Sequence, residues 1–154
     1  MTNPRLTASI FVARPPEDVY DMVADVTRMG EWSPVCKECW WDEGHSGTVG
    51  DWFTGRNVTP DKTWETRSEV VAAERGREFT FIVGSTYVRW GYSFEAAAGG
   101  TTITETWEFL PDAARLFEKR FGADAPAEIE ARTEAARTGM PATLAAIKAA
   151  AEAT

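Results

Sequence analysis

The sequence predicts an α+β domain: an antiparallel meander covered on one face and packed against a long C-terminal helix. From Val35 to Leu110, short alternating segments are punctuated by turns at Gly44 to Gly50, Thr59-Pro60-Asp61, Arg75-Gly76, Gly84-Ser85 and Gly99-Gly100. Three of those turns, each placed independently, bring the apolar faces of four strands onto one surface. After Pro111 the apolar period lengthens to that of a helix and alanine becomes abundant.

The elements follow in order. Thr7 to Ala13 alternates as a strand, with Ile10 and Val12 on one face. Pro15-Pro16-Glu17-Asp18 opens a helix, since proline is tolerated in a first turn and early acids suit the positive end of the dipole. Its buried stripe is Val19, Met22, Val23 and Val26. Thr27 to Gly30 reads as a second helical turn stopped by glycine, and Trp32 as a wedge into the core. Asp51 to Asn57 is a strand with Phe53, Gly55 and Asn57 inward and Trp52 and Arg56 outward.

A two-residue turn at Arg75-Gly76 pairs Val70 with Phe81 and Ala72 with Phe79. One at Gly84-Ser85 pairs Phe81 with Val88 and Phe79 with Trp90. A turn centred on Gly99-Gly100 sets Phe94 opposite Glu105 and Tyr92 opposite Trp107. The common face runs from Trp64 and Val70 through Phe79, Phe81, Trp90, Tyr92 and Phe94 to Ile103, Glu105 and Trp107. Glu65, Arg67 and Glu69 form a charged exterior. Asp112 is expected to cap a short helix carrying Phe117 and Phe121 and closed by Gly122. A long helix from Pro126 turns Ile129, Thr133, Ala136, Met140, Leu144, Ile147 and Ala151 inward. Gly139 and Pro141 predict a kink or break in its middle.

The length of 154 residues fits one domain, 1–154, able to bury a substantial core. A net charge of −8 without any basic run argues against nucleic acid or an anionic membrane as partner. Met1-Thr2-Asn3-Pro4-Arg5 lacks an apolar signal region and no stretch has the length of a membrane span, so a soluble cytoplasmic protein is expected. Seven Trp in so short a chain suit either a core or a pocket for an aromatic or lipidic ligand.

Several segments resemble the START/SRPBCC superfamily, and more narrowly the bacterial polyketide cyclase/dehydrase and lipid transport family. They are Ser9 to Tyr20, Asp25 to Pro34, Val49 to Asn57 and Thr101 to Trp107. The resemblance implies a helix-grip fold: a curved antiparallel sheet of about seven strands wrapped on the C-terminal helix, with two short helices after the first strand. It also implies an apolar cavity lined by the inward face. On that basis Trp64, Phe79, Phe81, Trp90, Phe94, Trp107, Ala136, Met140 and Leu144 are candidate contacts for a small hydrophobic ligand. No catalytic motif of the family transfers by residue.

Glu105 is the one carboxylate on the aromatic face. Burial raises a carboxyl pKa, which suits a general acid or base in a cyclisation or dehydration. Tyr92 on the neighbouring strand is the candidate to hold a substrate carbonyl. The alternatives are a non-catalytic carrier or sensor of a lipid or metabolite, and a partner-binding module using the acidic exterior. Cys36 and Cys39, three residues apart in a strand, are expected on opposite faces and so as packing residues. His45 is expected to be a solvated loop residue. No cofactor motif or metal-ligand cluster is present in the sequence.

Overall fold

A computed structural model describes residues 4–153; Met1 to Asn3 and Thr154, which the expected 1–154 domain includes, lie outside the described residues. The elements are β1 (Arg5–Val12), α1 (Pro16–Ala24), a 3-10 helix (Val26–Glu31), β2 (Cys36–Trp41), β3 (Trp52–Val58), β4 (Thr63–Glu74), β5 (Glu78–Val83), β6 (Val88–Ala97), β7 (Gly100–Phe109), α2 (Pro111–Phe121), a second 3-10 turn (Gly122–Asp124) and α3 (Ala125–Glu152). The strands form one antiparallel sheet in the order β1-β7-β6-β5-β4-β3-β2. β1 therefore closes against the last strand, and β2 is an edge. This is the helix-grip arrangement.

α3 presents Thr133, Ala136, Met140, Leu144, Ile147 and Ala151 as its buried stripe, as the spacing predicts, while Ile129 is half-buried. The expected break at Pro141 does not occur, and the helix runs 28 residues without interruption. Buried residues on both sides of Pro141 seat the helix, and that packing outweighs the amide bond the proline removes. The far end of α3 is tied to the β1–α1 junction. The Ala13 amide donates to Glu152 at 2.9 Å, Arg14 to the Ala151 carbonyl at 3.0 Å, and Lys148 to the Phe11 carbonyl at 2.8 Å.

Register differs from the sequence expectation in three places, each traceable to a turn. The β6–β7 turn is Ala98-Gly99, so Phe94 faces Ile103, Tyr92 faces Glu105 and Trp90 faces Trp107. Gly99 adopts φ 81, the left-handed conformation that closes the hairpin. The β5–β6 connection spans Gly84 to Tyr87 instead of two residues, pairing Phe81 with Trp90 and Phe79 with Tyr92. Both slips are by two residues, so every side chain stays on its expected face. The β4–β5 turn has three residues, Arg75 to Arg77, and a bulge near Val71 compensates for the extra one. Val70 still pairs with Phe81, but Ala73 rather than Ala72 faces Phe79.

Two termini also differ. α2 begins at Pro111 with Leu110 as its N-cap, and Asp112 lies inside the first turn, so it is not a cap. Gly122 closes α2 at φ 53, as the spacing implies. Gly30 does not stop the first 3-10 helix, which continues to Glu31. A Cβ at Gly30 would overlap the Lys37 carbonyl oxygen, so glycine here lets the helix approach β2. Trp32 is buried, as expected of a wedge.

Candidate functional site

The inward face of the sheet carries two packed clusters. One joins Tyr20 and Val23 of α1 to Phe53, Phe79, Phe81, Tyr92, Phe94 and the C-terminal half of α3. The other joins Trp107 and Phe109 to Phe117 of α2 and to Ala136 and Met140 of α3. Ala8 and Trp90 pack against both, and Ala8 is the β1 partner of Glu105. Glu105 thus stands at the seam between the clusters.

Glu105 is only 2% exposed. Tyr92, directly across the β6–β7 ladder, donates its hydroxyl to Glu105 Oε2 at 2.9 Å. Oε1 is buried without a hydrogen-bond partner, the one such side-chain atom among the described residues. Loss of hydration raises the Glu105 pKa to about 8, against a smaller opposing effect of the Tyr92 hydrogen bond. Tyr92 is itself pushed well above its usual pKa, first by burial and then by the neighbouring carboxylate charge. At neutral pH this is a protonated carboxyl beside a phenol: a neutral pair able to donate to, or accept from, a polar atom placed at Oε1.

The aromatic candidates divide by what they already touch. Phe79 and Phe94 both pack edge-on against Tyr20 of α1, with ring centroids 6.2 and 5.4 Å away. Phe81 meets Phe53 at 4.9 Å. Trp107 lies 6.1 Å from Phe109 and shares its cluster with Ala136 and Met140, whereas Leu144 belongs to the other cluster. Trp90 is half-buried at the seam. Trp64 is half-buried, with Lys62 at 4.8 Å and Arg132 of α3 at 6.0 Å over its ring. Arg132 also lies 5.3 Å over the Phe117 ring, tying Trp64 to α2, while Trp90 packs against both clusters.

β3 and β4 add polar groups to the inward face. Asn57 Nδ2 donates to Thr66 Oγ1 at 3.3 Å and to the Trp64 carbonyl at 3.4 Å. Phe53, Gly55 and Asn57 point inward as expected, and Trp52 lies outward under Arg67, 4.7 Å from its ring. A depression of about 390 Å³, lined by Asp21, Ala24, Asp25, Trp41 and Ser46, opens where the end of α1 meets the β2–β3 loop. That loop is organised by Asp51, whose carboxylate accepts the amides of Ser46, Gly47 and Thr48 at 2.9 to 3.0 Å. His45 is half-buried, and its Nδ1 accepts the Trp52 amide at 2.6 Å, so it is a loop anchor rather than a solvated residue.

Cys36 and Cys39 contradict the expectation of opposite faces. A bulge at Lys37-Glu38 inserts one extra residue, so Cys36 pairs with Asn57 and Cys39 with Gly55, two residues of the same β3 face. Both thiols are buried inward with their sulfurs 3.0 Å apart. Strict alternation hid this pair. Gly55 on the facing strand makes room for it, since an added Cβ would lie 3.0 and 3.2 Å from the two sulfurs. Among the described residues no group of three or more His, Cys, Asp or Glu is placed to hold a metal ion. Among the described residues, no helix is long and apolar enough to cross a membrane.

The family model described as polyketide cyclase / dehydrase and lipid transport matches residues 3–152. A Polyketide_cyc-like protein from Corynebacterium glutamicum, solved by NMR in solution, is 51% identical over 95% of this chain and 90% of its own, with a TM-score of 0.72. The di-domain ARO/CYC StfQ of the steffimycin pathway superposes with a TM-score of 0.73 at 17% identity, covering 98% of this chain and 51% of that one. The di-domain ARO/CYC BexL of the BE-7585A pathway gives 0.73 at 22% identity, over 97% of this chain and 50% of its own. This chain therefore spans about half of either di-domain protein, and at those identities the likeness concerns the fold alone. Comparison with curated proteins returned no match.

Proposed function

Because the chain belongs to the polyketide cyclase/dehydrase and lipid transport family, we propose that it binds a small hydrophobic molecule, aromatic, polyketide-like or lipidic, between the sheet and α3. The carrying observation is the Glu105 carboxyl, buried at an aromatic seam with Oε1 unpartnered and Oε2 held by Tyr92. A ligand carbonyl or hydroxyl at Oε1 satisfies the one buried side-chain polar atom left unbonded among the described residues, and this offsets its desolvation. Trp90, Trp107, Met140 and Leu144 supply the apolar contact.

The same geometry supports general acid–base chemistry in a cyclisation or dehydration. A carboxyl with its pKa near 8 is protonated at neutral pH and gives its proton to a carbonyl oxygen or a departing hydroxyl. Tyr92 then donates to the carboxylate left behind. Glu105→Gln keeps the shape and a hydrogen-bonding amide but has no acidic proton. Turnover should vanish in that variant while the fold and ligand affinity persist. Unchanged turnover removes the acid–base role.

A carrier is the second reading, favoured by the close mutual packing of Phe79, Phe81 and Phe94 with Tyr20 and Phe53, which leaves Glu105 as the polar contact. Native mass spectrometry of freshly purified protein, followed by denaturing extraction, separates the readings. A retained apolar adduct released chemically unaltered supports carriage. A compound converted on incubation with wild type, but not with Glu105→Gln, supports catalysis. Ala136→Trp should weaken uptake under either reading, with Met140→Ala as a gentler second variant at the same seam.

A further inference from the structure

The bulge in β2 brings two thiols together by more than one device. Cys36 and Cys39 lie on one face because Lys37-Glu38 adds a residue to an edge strand that pairs only with β3. On one side Gly30 brings the 3-10 helix against the Lys37 carbonyl; on the other, Gly55 leaves room for both sulfurs. Met29 of the same 3-10 helix receives the Cys39 thiol at 3.7 Å. The sulfurs are 3.0 Å apart, about 1 Å more than a covalent disulfide bond. This pair is outside the Tyr92–Glu105 chemistry proposed above, and it is independent of any ligand.

We propose that Cys36 and Cys39 form a reversible dithiol–disulfide site whose oxidant is a peroxide. The two cysteines are unequal. Cys36 is the more exposed, at 9% against 4%, and its sulfur lies 3.0 Å from that of Cys39, a contact that lowers the Cys36 pKa and so favours its thiolate. The Cys36 sulfur attacks one peroxide oxygen, the O–O bond breaks, and the released hydroxide takes a proton to become water. Cys36 is then a sulfenic acid. The Cys39 sulfur attacks Cys36 Sγ, the S–O bond breaks, and the leaving hydroxide takes the Cys39 proton as the second water. Two thiols lose two electrons in all, and the peroxide is reduced to two waters. Dithiothreitol or another dithiol reverses the step by thiol–disulfide exchange. The position in an edge strand gives β2 the freedom to draw the sulfurs together without disturbing the central sheet.

The chain has no other cysteine, so intact mass reports the site without ambiguity. Native wild-type protein is treated with graded hydrogen peroxide, quenched, unfolded and alkylated with iodoacetamide. The expected product is lighter by two hydrogens, has lost both alkylatable thiols, and regains both after dithiothreitol. It should form faster in the native protein than in the urea-unfolded chain. In Cys39→Ser, dimedone should trap a sulfenic acid at Cys36, and Cys36→Ser should react more slowly. The proposal is overturned if both thiols stay alkylatable in the native protein, if the bridge forms only after unfolding, or if Cys36 proceeds to sulfinic acid without bridging.

Discussion

Tyr92 and Glu105 face each other across the β6–β7 ladder, and the phenol donates to one carboxyl oxygen at 2.9 Å while the other oxygen has no partner. One buried acid is thereby half satisfied. Its remaining oxygen is the point at which the fold, its stability and its proposed chemistry meet.

A stability change with pH follows from this pair. The folded-state pKa of Glu105 is raised from 4.5 to about 8, chiefly by desolvation. The folded protein therefore holds this proton when the unfolded chain has released it. The contribution is fully present below the unfolded value of 4.5 and is lost as pH rises toward 8. The loss is roughly 3–5 kcal/mol if Glu105 acts alone. Urea unfolding between pH 4.5 and 8 should show this decline in wild type and a much flatter curve in Glu105→Gln.

Tyr92→Phe removes the donor and leaves both carboxyl oxygens unbonded. We expect a loss of about 1–3 kcal/mol and a further rise in the Glu105 pKa. In the Glu105→Gln background the same change should cost less. A double-mutant cycle by chemical denaturation reads the difference, and strict additivity would show that the observed hydrogen bond carries no coupling.

Gly30→Ala tests the close approach of the 3-10 helix to β2. The new Cβ overlaps the Lys37 carbonyl, a backbone atom that cannot rotate away. Destabilisation of about 1–3 kcal/mol is expected, together with faster exchange of the β2 amides. A neutral result would mean that helix and strand separate at little cost.

Legibility in the sequence followed the physics of side-chain alternation. A face assignment survives a register slip of two residues, so Glu105, Tyr92 and the inward aromatics were correctly placed even though the β5–β6 and β6–β7 turn lengths differ from expectation. The partner of Glu105 was not legible, because it depends on which residues form the turn: Ala98-Gly99 gives Tyr92, and Gly99-Gly100 gives Phe94. Odd-residue insertions are harder still. The bulge at Lys37-Glu38 reverses parity, and no local residue pattern announced it. Pro141 failed as a helix breaker for another reason, because the buried stripe on either side of it decides the outcome. The roles of Gly30 and Gly55 are tertiary and invisible to local propensity: each makes room for atoms of β2, Gly30 for the Lys37 carbonyl and Gly55 for the two sulfurs.

The most direct test of the account is the titration of Glu105 itself. Protein labelled with ¹³C at glutamate side-chain carboxyls, compared with Glu105→Gln to assign the resonance, gives its midpoint by NMR. The account predicts a carboxyl that remains protonated at neutral pH and titrates near 8. A midpoint in the ordinary carboxylate range would contradict it, making Glu105 a hydrated, charged residue and removing both the proton donor and the pH-dependent stability argued from it.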